Sequence, residues 1–261
     1  MKRFLTVFII LICFLSVIGG HFYYNYKLEK TAHAAKLKMK NEPEVQPQTK
    51  STAVQKQTSD HFTNAPNGIA ERYQKKKEAG EALTFTLVGS NLTSAEPGSW
   101  VKLFTDKMMA SYGKDISITT TSFGEQTSLE FPKEQSYKDL IKQKSDIVLI
   151  EPVLLNDNNE IVPMKDTLYV LDQMITAIKA ANPEAIILLQ PPNPIHKPQT
   201  YAIQVKDLEK YASENEIPYV DHWVAWPDVN SEEIYNYVTK NYEPNEKGNT
   251  IWAEYMFNLF K

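Results

Sequence analysis

Residues 83–93 read LTFTLVGSNLT. Leu83 to Val88 is an unbroken apolar and β-favouring run, and Gly89-Ser90-Asn91 ends it with a small, polar, turn-forming cluster. A run of this length bounded by turn residues is the pattern of a strand buried on both faces, as parallel strands are. The loop at its carboxyl end is where open α/β sheets hold ligands. The stretch therefore predicts a fold class and, at 89–93, the place of a site.

Further along, the same logic repeats. Trp100, Phe104, Met108 and Tyr112 recur every four residues, the spacing of an amphipathic helix over 99–112. Residues 116–121 (ISITTT) are β-branched and strand-like, 136–142 is a short helix, and 147–150 (IVLI) is another apolar strand. Leu168, Leu171, Met174, Ile175 and Ile178 line one face of a helix over 166–181, which Asn182-Pro183 stops. A strand at 185–189, a helix at 201–215, a short fifth strand at 218–220, and helices at 231–239 and 248–260 follow. Strand and helix alternate throughout. That order predicts a three-layer α/β/α sandwich around a mostly parallel, about five-stranded, flavodoxin-like sheet.

Before the helical lead-in at 68–81 the chain is of another kind. Lys2-Arg3 precedes an uncharged apolar run, Phe4 to Ile18, and an aromatic flank, His21-Phe22-Tyr23-Tyr24. With that flank it reaches the roughly 20 residues that span a bilayer. Residues 1–26 are read as an uncleaved signal anchor; cleavage near Ala32-His33-Ala34 would instead release the protein. Residues 27–63 are polar and rich in Lys, Gln, Thr and Pro, a flexible tether, and 64–261 form the folded domain. The domain is thus expected at the cell membrane on the extracytoplasmic side.

Composition narrows the function. From His61 on there are 19 Lys and Arg against 28 Asp and Glu, a net charge of −9 with no basic stripe, which argues against nucleic acid as a partner. One cysteine, Cys13 in the apolar run, leaves no disulfide within a chain. No His/Cys cluster has metal-ligand spacing, and 89–93 has one Gly and no following Lys, so neither a metal nor a nucleotide cofactor is indicated.

The loops at the strand ends carry G-S-N-L-T (89–93), G-E-Q-T-S (124–128), N-D (156–157) and P-N-E-K-G (244–248). In that order they resemble the four blocks of the SGNH (GDSL-type) hydrolases, over roughly residue 83 to the end. The resemblance implies a serine esterase or acyl hydrolase, its Ser nucleophile served by a His base that an Asp orients. It also implies an oxyanion hole of the Ser N–H, a second-block Gly N–H and a third-block Asn. Asn156 matches that Asn and Gly124 is the nearest Gly, although strict alignment places Glu125 there. The envelope setting makes an acylated polysaccharide or lipid the implied partner.

At the triad the pattern departs. The nucleophile position is Asn91, the Asp position Lys240 and the His position Glu243. Three readings follow. A shifted triad would use Ser90 as nucleophile with Glu243 or His222 as base, and Asp221 or Asp228 as orienter. A non-catalytic relative would keep the cleft, with Asn91 in it, to bind an envelope glycan or a protein, Trp223, Trp226, Tyr201 and the 191–194 loop forming a sugar-stacking wall. An O-acyltransferase would use the same acyl-enzyme with a hydroxyl acceptor.

Overall fold

The computed structural model describes residues 61–130 and 138–261. The segments read as a signal anchor (1–26) and, but for its last three residues, as a tether (27–63) lie outside the described residues. Among the described residues no helix is long and apolar enough to cross a membrane.

In chain order the elements are α1 (Ile69–Glu78), β1 (Leu83–Gly89), α2 (Trp100–Tyr112), β2 (Ile116–Ser122), α3 (Lys138–Gln143), β3 (Ile147–Ile150), α4 (Leu154–Asn159), α5 (Met164–Ala181), β4 (Ile186–Leu189), α6 (Gln199–Glu214) and α7 (Glu246–Phe260). The four strands are parallel in the order β2-β1-β3-β4. Alternate β1 side chains serve opposite layers. Phe85 and Leu87 join the core under α1, α2 and α7, whereas Val88 joins the core under α3, α4, α5 and α6. Thr86 is buried too, and it is satisfied by Ser145 at 2.5 Å and Gln143 at 2.8 Å. The α/β/α sandwich expected of the sequence is present.

Three elements differ from expectation. The fifth strand is a single parallel bridge, Leu189 to Tyr219, so the sheet has four strands. Pro218 lacks a ladder N–H and Asp221 begins a 3₁₀ turn, which leaves no length for pairing. The helix expected over 231–239 is one 3₁₀ turn, Glu232–Asn236, because Val238 leaves to bridge Pro244. Residues read as a loop after β3 form α4. The domain also starts earlier than residue 64. Phe62 is buried against Tyr73, Phe85 and Tyr112, and its N–H donates to the Lys261 carbonyl at 3.1 Å.

Beneath the strand ends runs a column of flat rings. His222 stacks on Trp252 at 4.2 Å, and Trp252 on Trp100 at 4.6 Å. Each ring also grips a strand-end loop. Trp100 Nε1 donates to the Leu92 carbonyl, Trp252 Nε1 to Gln190 Oε1, and His222 holds the Pro191 carbonyl. The site above is built on this column.

Candidate functional site

The loop after β1 is fastened from below. Gly89 allows it: a Cβ there would run into Glu151 Oε2 and Thr93 Oγ1. Ser90 then turns inward and is almost completely buried. Its hydroxyl donates to the Glu151 carboxylate (3.0 and 3.1 Å) and accepts from the Leu92 N–H (3.2 Å), capping the short turn Asn91–Thr93. The Ser90 N–H and the Thr93 hydroxyl also reach Glu151, at 3.1 and 2.6 Å. Burial lifts the Glu151 carboxyl from 4.5 to about 8, with the Thr93 and Ser90 hydrogen bonds pulling the other way. The shifted nucleophile is therefore corrected. Ser90 is an interior anchor of the loop, with no face toward the cleft.

Asn91, one residue on, points the other way. Its Nδ2 donates to Glu243 Oε1 at 2.9 Å. Glu243 is held above it by the segment that starts α7. The Thr239 N–H donates to the Glu243 carbonyl, Asn193 holds the Tyr242 carbonyl, and Asn245 caps α7 through the Lys247 and Gly248 N–H groups. Gly248 is required there, since a Cβ would strike the Tyr237 carbonyl and the Trp226 ring. Thus P-N-x-x-G is a helix cap that delivers residue 243 over residue 91. Lys240, two residues before Tyr242, is exposed to solvent.

Of the expected oxyanion donors, the Asn91 N–H, the Gly124 N–H and the Asn156 amide are each engaged. The Asn91 N–H donates to the Gly124 carbonyl at 2.8 Å. Gly124, at φ 66°, turns that carbonyl toward Asn91, and its own N–H donates to Ser122 Oγ at 3.2 Å. Asn156 Nδ2 reaches the Gly124 and Gln126 carbonyls, at 3.3 and 3.1 Å. Gly124, Asn156 and Asn91 do meet at the cleft, but as a closed hydrogen-bond set that holds three loops together.

His222 is not brought to the cleft. It is fully buried in the ring column, where Nδ1 accepts from Trp226 Nε1 (3.0 Å), which leaves Nε2–H to donate to the Pro191 carbonyl (2.9 Å). Burial lowers its pKa from 6.5 to about 3, so it is neutral. Ser90, Glu243 and His222 thus lie in three different settings. Of the expected sugar-stacking wall, Tyr201, Trp226 and the 191–194 loop are buried, and Trp223 alone is partly exposed. Sequence reasoning missed Glu151, whose signal is a carboxylate placed directly after the apolar run of β3.

The Asn91–Glu243 pair divides the strand-end cleft into two hollows. One, of about 410 Å³, is bordered by Glu96, Pro97, Ser99 and Glu246. The other, of about 270 Å³, is bordered by Glu125, Asn156, Asn159, Glu160 and Asn241. The carboxylates lining both disfavour an anionic ligand.

Solved structures with the same architecture are known. A G-D-S-L family protein from Desulfitobacterium hafniense matches 68% of this chain and 99% of its own at 18% identity, TM-score 0.56. A lipase/acylhydrolase from Enterococcus faecalis (17% identity, 67% and 93%) and a carbohydrate esterase family 3 protein from Talaromyces cellulolyticus (15% identity, 67% and 95%) each give a TM-score of 0.55. No family model and no curated relative matches the chain. The chain has the SGNH/GDSL-type hydrolase fold.

Proposed function

We propose that this chain is a membrane-tethered, extracytoplasmic domain of SGNH-hydrolase fold that binds an envelope component through its strand-end cleft and performs no acyl transfer. The observation that carries this reading is the 2.9 Å hydrogen bond from Asn91 Nδ2 to Glu243 Oε1. It joins the two positions where the resemblance implies nucleophile and base. An amide nitrogen gives its lone pair to its carbonyl and cannot attack an ester. The Asn91 N–H, the Gly124 N–H and the Asn156 amide are bonded within the protein, so a tetrahedral intermediate would find none of these three free.

The test is enzymatic. Full-length protein in detergent micelles is expected to show no turnover of short-chain aryl esters above the blank, and no labelling by a serine-directed fluorophosphonate. Turnover and labelling that Ser90→Ala abolishes would restore ester hydrolysis or O-acyl transfer as the function. The tethering has its own test. Intact protoplasts treated with protease are expected to lose the domain while the protein fractionates with membranes. A soluble form in the medium beginning near Ala35 would show a cleaved signal.

A further inference from the structure

A second concavity lies away from the cleft, along the open edge of the sheet between α6 and Tyr219. It encloses about 620 Å³ and is bordered by Lys197, Lys206, Glu209, Tyr219, Asp221 and Trp223, with Gln199 and Asn230 at its rim. Its aromatic wall is fixed in place. Trp223 Nε1 donates to the Pro192 carbonyl at 2.7 Å, its backbone N–H to Asp221 Oδ1 at 3.2 Å, and its ring packs on Tyr201 at 5.7 Å. Of the four tryptophans it is the one that is neither buried in the core nor part of the ring column. On the other wall Tyr219 carries a buried hydroxyl with no hydrogen-bond partner. Burial, and then the nearby Asp221 and Glu209 charges, keep that phenol protonated.

The charges decide the ligand class. Two ammonium groups, Lys197 and Lys206, and two carboxylates, Glu209 and Asp221, line the groove, so this lining is balanced where the cleft lining is acidic. A balanced set of donors and acceptors beside an immobilised indole suits a ligand that is uncharged, rich in hydroxyls and apolar on one face. We infer that this groove is a binding site for a neutral oligosaccharide, with a sugar ring lying on Trp223 and its hydroxyls shared among Asp221, Lys206, Gln199 and Asn230. The groove is separate from the Asn91–Glu243 pair, so the inference stands whether or not ester turnover is found.

The experiment is calorimetric titration of the full-length protein in detergent with three neutral tetrasaccharides: cello-, malto- and N-acetylchito-tetraose. At least one is expected to bind saturably. Trp223→Ala is expected to weaken that binding at least tenfold, and Lys206→Ala combined with Asn230→Ala, both exposed positions, severalfold. Tyr169→Ala, an exposed aromatic on α5 outside both cleft and groove, should leave it unchanged. Circular dichroism melts establish that each variant is folded. Should Trp223→Ala fail to fold, the exposed double variant decides alone. Absence of binding by all three sugars would overturn the site, as would binding that the exposed double variant leaves intact or that Tyr169→Ala abolishes.

Discussion

Ser90 and Asn91 are neighbours that leave β1 in opposite directions, one toward Glu151 and one toward Glu243. Side chains alternate sides along an extended chain, so a one-residue shift in a motif exchanges interior for cleft. The letters of G-S-N-L-T pointed to the strand-end loop from sequence, and the departures at 91, 240 and 243 were legible there. Which hydroxyl faced solvent was not legible, because it depends on Glu151, 61 residues away. That carboxylate also makes a prediction. Its pKa is about 8 when folded against 4.5 ordinarily, so between those values the native state keeps a proton that the unfolded chain has released. Stability therefore falls as pH rises through that window, by a few kcal/mol. His222 acts in the opposite sense. Held neutral to about 3 against 6.5, it makes stability fall as pH drops between those values. Melting temperatures taken from pH 3 to 9 should show both limbs, and Glu151→Gln should flatten the alkaline one. An unchanged alkaline limb in Glu151→Gln would mean that another group is responsible.

At the level of elements, strands with continuous apolar runs and helices with a clear four-residue period appear where the sequence placed them. β3 is the four residues expected, and α5 and α7 each begin two residues early. Elements that failed were short and leaned on tertiary partners. The 218–220 segment has too few residues to extend its one bridge into a strand, and 231–239 gives up its helix when Val238 and Pro244 meet. Phe62 escaped notice because one aromatic in a polar stretch has no period. Its environment is nonetheless complete: Tyr73 and Tyr112 lie 4.9 Å from its ring, and the chain's last carbonyl accepts its N–H. Phe62→Ala should thus cost about 3–5 kcal/mol, as large-to-small changes of buried aromatics do. Urea unfolding of the substituted chain checks this. A loss below 1 kcal/mol would return residue 62 to the tether.

Across the whole molecule, the two faces of the sheet have separate tasks. One is ordinary aliphatic packing under α5 and α6; the other contains the ring column that ties the loops after β1, β4 and Tyr219 to α2 and α7. Fold class could be read from sequence because it follows from periodicity. The column could not, since Trp100, His222 and Trp252 come from distant parts of the chain and carry no local pattern. It has an optical consequence. Trp100 and Trp252 lie at an interplanar angle of 11°, His222 covers the other face of Trp252, and Trp226 sits 6.4 Å from Trp252. Indoles this close exchange excitation, and the stacked pair is expected to lose its excited state largely without emitting. Far-ultraviolet circular dichroism should then show an indole exciton couplet that Trp100→Phe erases. Steady-state fluorescence should come chiefly from Trp223, so Trp223→Phe should darken the folded protein although three of its four tryptophans remain. Emission that Trp223→Phe leaves intact would contradict this. The protein would thereby carry a natural single-tryptophan reporter, with its colour set at one address and the other three indoles silent.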